Sequence, residues 1–207
     1  MGRRIDLNWD EWTPGLDTDA MTIREVLATM PAAEAEDVPE IIRRYENPES
    51  PEALPGAITL ARHDCIHVLL GRGLHVQDEA FVIGATMGAA SDFTDEHLDF
   101  FVEVSTTQYP KHWRFEEAHI ASYLLGVGYA VDNLRDRDLH LIPLEEEPWQ
   151  SKTVREARRD LGIVKEELRA YFRKAGILVP GTPATRRLDT SALRRDVHLR
   201  QRTAPPE

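Results

Sequence analysis

Two histidines, an aspartate and a glutamate stand close together in one stretch of this chain, His63 to Glu79, HDCIHVLLGRGLHVQDE. Residues i and i+4 of a helix share a face at about 6 Å, so His63 and His67 can aim their ring nitrogens at one ion. Asp64 sits beside that face, as a third ligand or as an acid/base group. Gly71 and Gly73 can end the helix and turn the chain, because glycine tolerates the left-handed conformation common at helix ends. The return would bring Glu79 back toward the histidines. Imidazole plus carboxylate suits a divalent ion, zinc first, with iron, cobalt or manganese as alternatives, and few protein ligands leave positions open for substrate or water. A solvated polar face is the competing explanation. Against it, Leu60, Ile66, Leu69 and Leu70 make the segment mostly apolar, so its polar groups would be partly buried and in need of partners.

At these residues the chain resembles the ubiquinone biosynthesis family called coenzyme Q biosynthesis protein four. That family's signature is HDxxH, eleven residues, then Glu, and His63, Asp64, His67 and Glu79 fill its four positions in register. Leu69-Leu70-Gly71 also resembles the family's text after the second histidine. The family's usual glycine before the glutamate is Asp78 here, and its aromatic-rich continuation is replaced by FVIGATMG, residues 81–88. The resemblance implies an all-helical protein with one divalent metal, ligated by His63, His67 and Glu79 with Asp64 as ligand or proton carrier, near a hydrophobic pocket for a prenylated ligand. The implied activity is decarboxylation, in oxidative form, of a polyprenyl hydroxybenzoate, with an organising role among ubiquinone enzymes. A lyase of this kind is one expectation. A non-catalytic carrier of prenylated lipid with a structural metal is another.

Other chemistries compete. Glu116 to His119, EEAH, is half of a bundle-type di-iron set. With Asp64, His67 and Glu79, and with Glu103 or Glu117 as the remaining carboxylate, it makes a di-iron oxidase or hydroxylase the alternative. HD-type phosphohydrolases need a histidine upstream of the doublet, and none precedes His63. A zinc protease needs HExxH, whose glutamate reaches farther than Asp64. The chain has no serine-hydrolase elbow, phosphate loop or dinucleotide fingerprint. His97, His112 and His140 read as surface or satisfied core residues.

Composition bounds the rest. The 207 residues, 42% of them hydrophobic, suffice for one domain with a substantial core. Cys65, the only cysteine, fits a reducing cytoplasm and, about 200° around the helix from His63, reads as a buried small side chain. Residues 1–150 hold 11 Lys+Arg against 29 Asp+Glu, whereas 151–207 hold 14 against 7. The acidic body makes nucleic acid an unexpected partner. The basic end could lie on its own acidic body or touch an anionic membrane surface. No signal peptide is visible, which gives a cytoplasmic protein with peripheral membrane contact as the expectation.

The elements that would position the site read as helices, and the expected fold is an all-α bundle. Thr22 to Glu25, TIRE, is a capping box opening a short helix; Asp37 to Glu46 gives another, and NPESPEALPG is a turn-rich lead-in to the helix carrying His63. The uncharged run 80–91 is a core helix or the wall of an apolar pocket, with Gly84 and Gly88 suiting close packing or a ligand. Further helices are expected over 94–109 and 115–133, with a short extended piece over 139–144. Thr153 to Glu156, TVRE, opens a last helix whose stripe Val154, Ala157, Leu161, Val164, Leu168, Tyr171 and Ala175 would dock on the bundle or seam a homodimer. The organisation expected is therefore a metal-binding body over 1–150, an amphipathic helix over 151–178 and a flexible basic tail over 179–207. Trp9 and Trp12 would clamp the N-terminal arm.

Overall fold

A computed structural model describes residues 11–31 and 38–187. Among the described residues it is all-α, with helices α1 (Ile23–Leu27), α2 (Glu40–Glu46), α3 (Leu60–Leu70), α4 (Val76–Gly88), α5 (Asp95–Thr107), α6 (Glu117–Asn133), α7 (Val154–Leu161) and α8 (Lys165–Leu178), two 3₁₀ turns at Leu139–Leu141 and Trp149–Ser151, and a further helical stretch over 183–187. Among the described residues there is no strand, only an isolated antiparallel bridge between Thr22 and Thr153.

Local signals place most helix starts. Thr22 and Thr153 both form complete capping boxes, with Glu25 and Glu156 reaching back to the cap backbone. Trp12 is buried and donates its indole N–H to Thr29 Oγ1 at 3.0 Å, the clamp expected of it, while Trp9 lies outside the described residues.

The centre of the fold is the pair α4 and α6. A Cβ on Gly84 would meet the Tyr123 carbonyl oxygen at 2.2 Å, and one on Gly126 would meet that of Phe81 at 2.2 Å. The small residues of the uncharged run therefore serve close helix packing, not ligand room. Around this pair, Ile66, Leu69, Leu70, Leu161, Leu168 and Tyr171 complete a continuous core.

Three expectations need correction. The amphipathic segment 151–178 is two helices, because Gly162 adopts φ 74° and caps α7 before α8 begins. Its stripe docks on the bundle, with Val154, Ala157, Leu161, Leu168, Tyr171 and Ala175 buried and Val164 alone 48% exposed. The piece over 139–144 is a 3₁₀ turn followed by an extended Ile142, closed by the Ile142 N–H to Leu139 O bond at 3.2 Å. The tail's first residues are packed, with Val179, Ala184 and Thr185 buried; residues 188–207 lie outside the described set.

Candidate metal centre

Helix α3 carries the two histidines, and its ends are fixed by other parts of the chain. Thr59 caps it by accepting the Arg62 N–H at 3.3 Å, and the Arg62 guanidinium makes a two-pronged contact with Glu145 at 2.9 and 2.8 Å. At the other end the buried Arg158 donates to the carbonyls of Leu69 at 2.8 Å and Val68 at 3.4 Å, a cation at the negative end of the helix dipole. Gly71 then turns the chain at φ 70°, where a Cβ would meet the Gly15 carbonyl oxygen at 2.8 Å, so only glycine fits.

The turn into α4 is held by a buried arginine. Arg72 lies between the rings of Phe81 and Phe172, its Cζ 3.7 and 4.2 Å from their centroids, and 3.5 Å from Asp78. Asp78, where the resembled family usually has glycine, thus anchors the first turn of α4. Glu79 follows it directly.

Glu79 Oε2 stands 2.8 Å from His63 Nε2 and 3.2 Å from His67 Nε2, and the two ring nitrogens are 2.9 Å apart. Among the described residues these three form a group that could hold a metal ion. Hydrogen bonding alone does not satisfy the triangle. If both rings donate to the carboxylate, their N–H groups oppose each other; if one ring lacks its proton, two acceptors face across another edge. A cation at the centre removes the conflict, and tetrahedral zinc with bonds near 2.05 Å would need edges of about 3.3 Å, a small expansion of this triangle.

The carboxylate and the two rings also interact electrostatically. Burial would raise the Glu79 carboxyl, but the charges and hydrogen bonds of His67 and His63 outweigh it and hold the group far below the usual carboxylate range. Burial would lower His63, but Glu79, with Asp64 and Glu46, raises it above an ordinary histidine. His67 is fully buried and its Nδ1 has no partner among the described residues. Metal ligation through Nε2 would leave that Nδ1–H unmatched at a cost of about 1–3 kcal/mol. The roughly 10 kcal/mol or more of a typical structural zinc site exceeds it.

Asp64 is half-buried and lines the same cavity, but its oxygens are not among the three converging atoms. Burial raises its carboxyl, opposed by His63 and His67 and reinforced by Glu79. Cys65 points elsewhere: Gln150 donates to its sulfur at 3.3 Å, and burial pushes the thiol up to about 12.

The second half of a di-iron set is not gathered. Glu116 is the N-cap of α6 and His119 is its N3 residue, whose Nδ1 accepts the Glu116 backbone N–H at 3.0 Å. Glu103, Glu116 and Glu117 are exposed. His97 does similar capping work at Thr94, and His112 is exposed.

Beside the triad opens a cavity of about 630 Å³, walled by Ile42, Leu54, Val76, Ile83, Met87 and Trp113 among others. Its size and apolar lining suit a small molecule or the head of a lipid. One wall residue escaped the sequence reading: Glu46, at the end of α2, which accepts a hydrogen bond from the Tyr109 hydroxyl. No helix among the described residues is long and apolar enough to cross a membrane. Comparison with family models, curated proteins and solved structures finds no match to this chain.

Proposed function

We propose that the chain is a metal-dependent protein of ubiquinone-biosynthesis type, which holds one divalent ion, zinc first, on His63, His67 and Glu79 and takes a prenylated aromatic acid into the adjoining cavity. The observation that carries the reading is the convergence of three ligand atoms, within 3.2 Å, on the edge of an apolar cavity of about 630 Å³. A scattered polar face would not supply both. The reaction proposed is removal of the carboxyl group of a polyprenyl hydroxybenzoate.

A bound ion would supply charge to hold a substrate carboxylate or to activate water. The chain's own residues do the rest. His63 and His67 fix one edge of the site through the rigid α3, and Arg72 with Asp78 fixes Glu79 against them. The apolar wall excludes water from the ligand's body. Asp64, next to His63 and outside the ligand triangle, holds or delivers the proton at the reacting end. That separation of Asp64 from the three ligands favours catalysis over a purely structural metal.

The test uses tag-free, zinc-loaded protein and 3-geranyl-4-hydroxybenzoate as probe. Loss of the carboxyl as CO2 is the expected result, and reaction with and without dioxygen separates replacement by hydrogen, which needs only a proton, from replacement by hydroxyl, which needs dioxygen as oxidant. Intact probe after reaction with protein loaded in turn with zinc, iron, cobalt and manganese would sink the decarboxylase reading. Peripheral membrane contact through the basic C-terminal residues and a homodimer remain parts of the proposal, read by vesicle co-sedimentation and by native mass.

A further inference from the structure

The cavity contains a polar pair that the metal reading does not use. Glu46 closes α2, and its backbone carbonyl accepts the Ile58 N–H at 3.2 Å, which ties the helix end to the segment entering α3. Tyr109 lies after α5, 1% exposed, its ring edge-on to Phe101 and Phe115. The Tyr109 hydroxyl donates to Glu46 Oε1. Among the described residues, Glu46 has no ion-pair partner; the charges that act on it are those of His63 and Glu79, and Arg43, Glu49 and Asp64 also line the cavity. The pair is therefore held from two sides and presents one carboxyl oxygen without a partner at the wall.

Such a group constrains what can fill the cavity. A wholly apolar guest would cover that oxygen and leave it unmatched, as it would the triad. Burial, only partly offset by the Tyr109 hydrogen bond, pushes the Glu46 carboxyl up to about 7, and the C-terminal end of α2 also disfavours negative charge there. Near neutrality the carboxyl is thus only about half ionised, and a hydroxyl can donate to the ionised form or accept from the protonated one, whereas an alkylammonium matches the ionised form alone.

We propose that Glu46, held by Tyr109, determines specificity by hydrogen bonding to a hydroxyl on the head of an amphiphilic ligand, at a point separate from the His63, His67 and Glu79 group. This rests on reading the cavity as a ligand site, and needs neither the metal nor any reaction.

The test measures binding of 4-octylphenol, its methyl ether 4-octylanisole and octylammonium to metal-free and zinc-loaded protein, by calorimetry or by the fluorescence of Trp113 in the cavity wall. The phenol should bind about 10- to 100-fold more tightly than the ether, the range expected when a buried polar group loses its partner. Glu46→Ala should reduce that preference to less than about threefold, with ether binding and zinc content unchanged, and Glu46→Gln should keep part of it. Equal binding of phenol and ether, no binding of either, tighter binding of the ammonium, or equal weakening of both probes by Glu46→Ala would each overturn the proposal. A preference that survives Glu46→Ala puts the hydroxyl elsewhere, and zinc loss in that variant makes Glu46 a ligand; both also overturn it. A protein that fails to hold zinc or to decarboxylate the geranyl probe, yet keeps the Glu46-dependent preference, would lose the proposed reaction and retain this specificity.

Discussion

Two stretches of this chain pair an acid with a histidine three residues on, and they do different work. Asp64 and His67 lie in the middle of α3, with His63 one turn before, and the histidines turn inward to meet Glu79. Glu116 and His119 have the same spacing but fall on the N-cap and third position of α6, where each side chain reaches the other's backbone. The difference is register relative to the helix start. Thr59 already caps α3, which leaves its histidines free for the interior, whereas α6 has no serine or threonine at its cap and uses the pair instead. A motif's spacing defines what residues can reach; the helix boundary decides what they must satisfy.

The His63→Ala, His67→Ala pair should reduce bound metal from one per chain to essentially none, while His119→Ala should leave it unchanged, read by elemental analysis. Asp64→Asn should retain the metal and lower turnover of the geranyl probe about 10²- to 10⁴-fold, the range for a lost proton-transfer group. Collapse of the fold in that variant, seen by circular dichroism, would make Asp64 structural.

A pH series separates the two stretches by sign. His63 in the metal-free protein has a raised value, because Glu79 outweighs burial, so its stabilisation is full below about 6.5 and is lost as pH rises through its folded value. His119 is lowered, chiefly by burial, so its contribution is lost as pH falls toward and through about 6.5. Removing His63 should therefore lower the Tm of metal-free protein most on the acid side, and removing His119 should lower it most on the alkaline side. Glu46→Gln should stabilise the metal-free protein near pH 8 by up to about 3 kcal/mol, since the wild type must ionise a carboxyl raised to about 7, and the gain should vanish below about pH 4.5. The smallest effect is the cap itself: Glu116→Ala should cost about 0.5–2 kcal/mol and leave metal and ligand binding untouched.

Local chemistry made much of this legible. Thr22 and Thr153 followed by glutamate three residues on mark true helix starts, and Leu70-Gly71 marks a true helix end. The HDxxH spacing with a glycine turn before Glu79 was enough to bring three of the four named site residues together; Asp64 stays beside them because its side chain points off the shared face. Glu46 was not legible. A charge at the end of a short helix reads as solvated, and only the packing of α2, the segment before α3 and Tyr109 puts it on the cavity wall. The break at Gly162 had a signal that the apolar stripe concealed: two arginines in the last turn, Arg158 and Arg159, and a glycine directly after the final apolar residue, Leu161, are the ordinary end of a helix. The stripe continued across the break because both helices bury the same side against one core.

The proposed centre requires that His63, His67 and Glu79 hold one metal ion and that the EEAH stretch hold none. Native mass spectrometry with elemental analysis on tag-free protein tests it directly. One ion per chain, lost in His63→Ala, His67→Ala and kept in His119→Ala, is the result this account requires. Two ions per chain, no ion in the wild type after zinc loading, or loss of the ion in His119→Ala would contradict it.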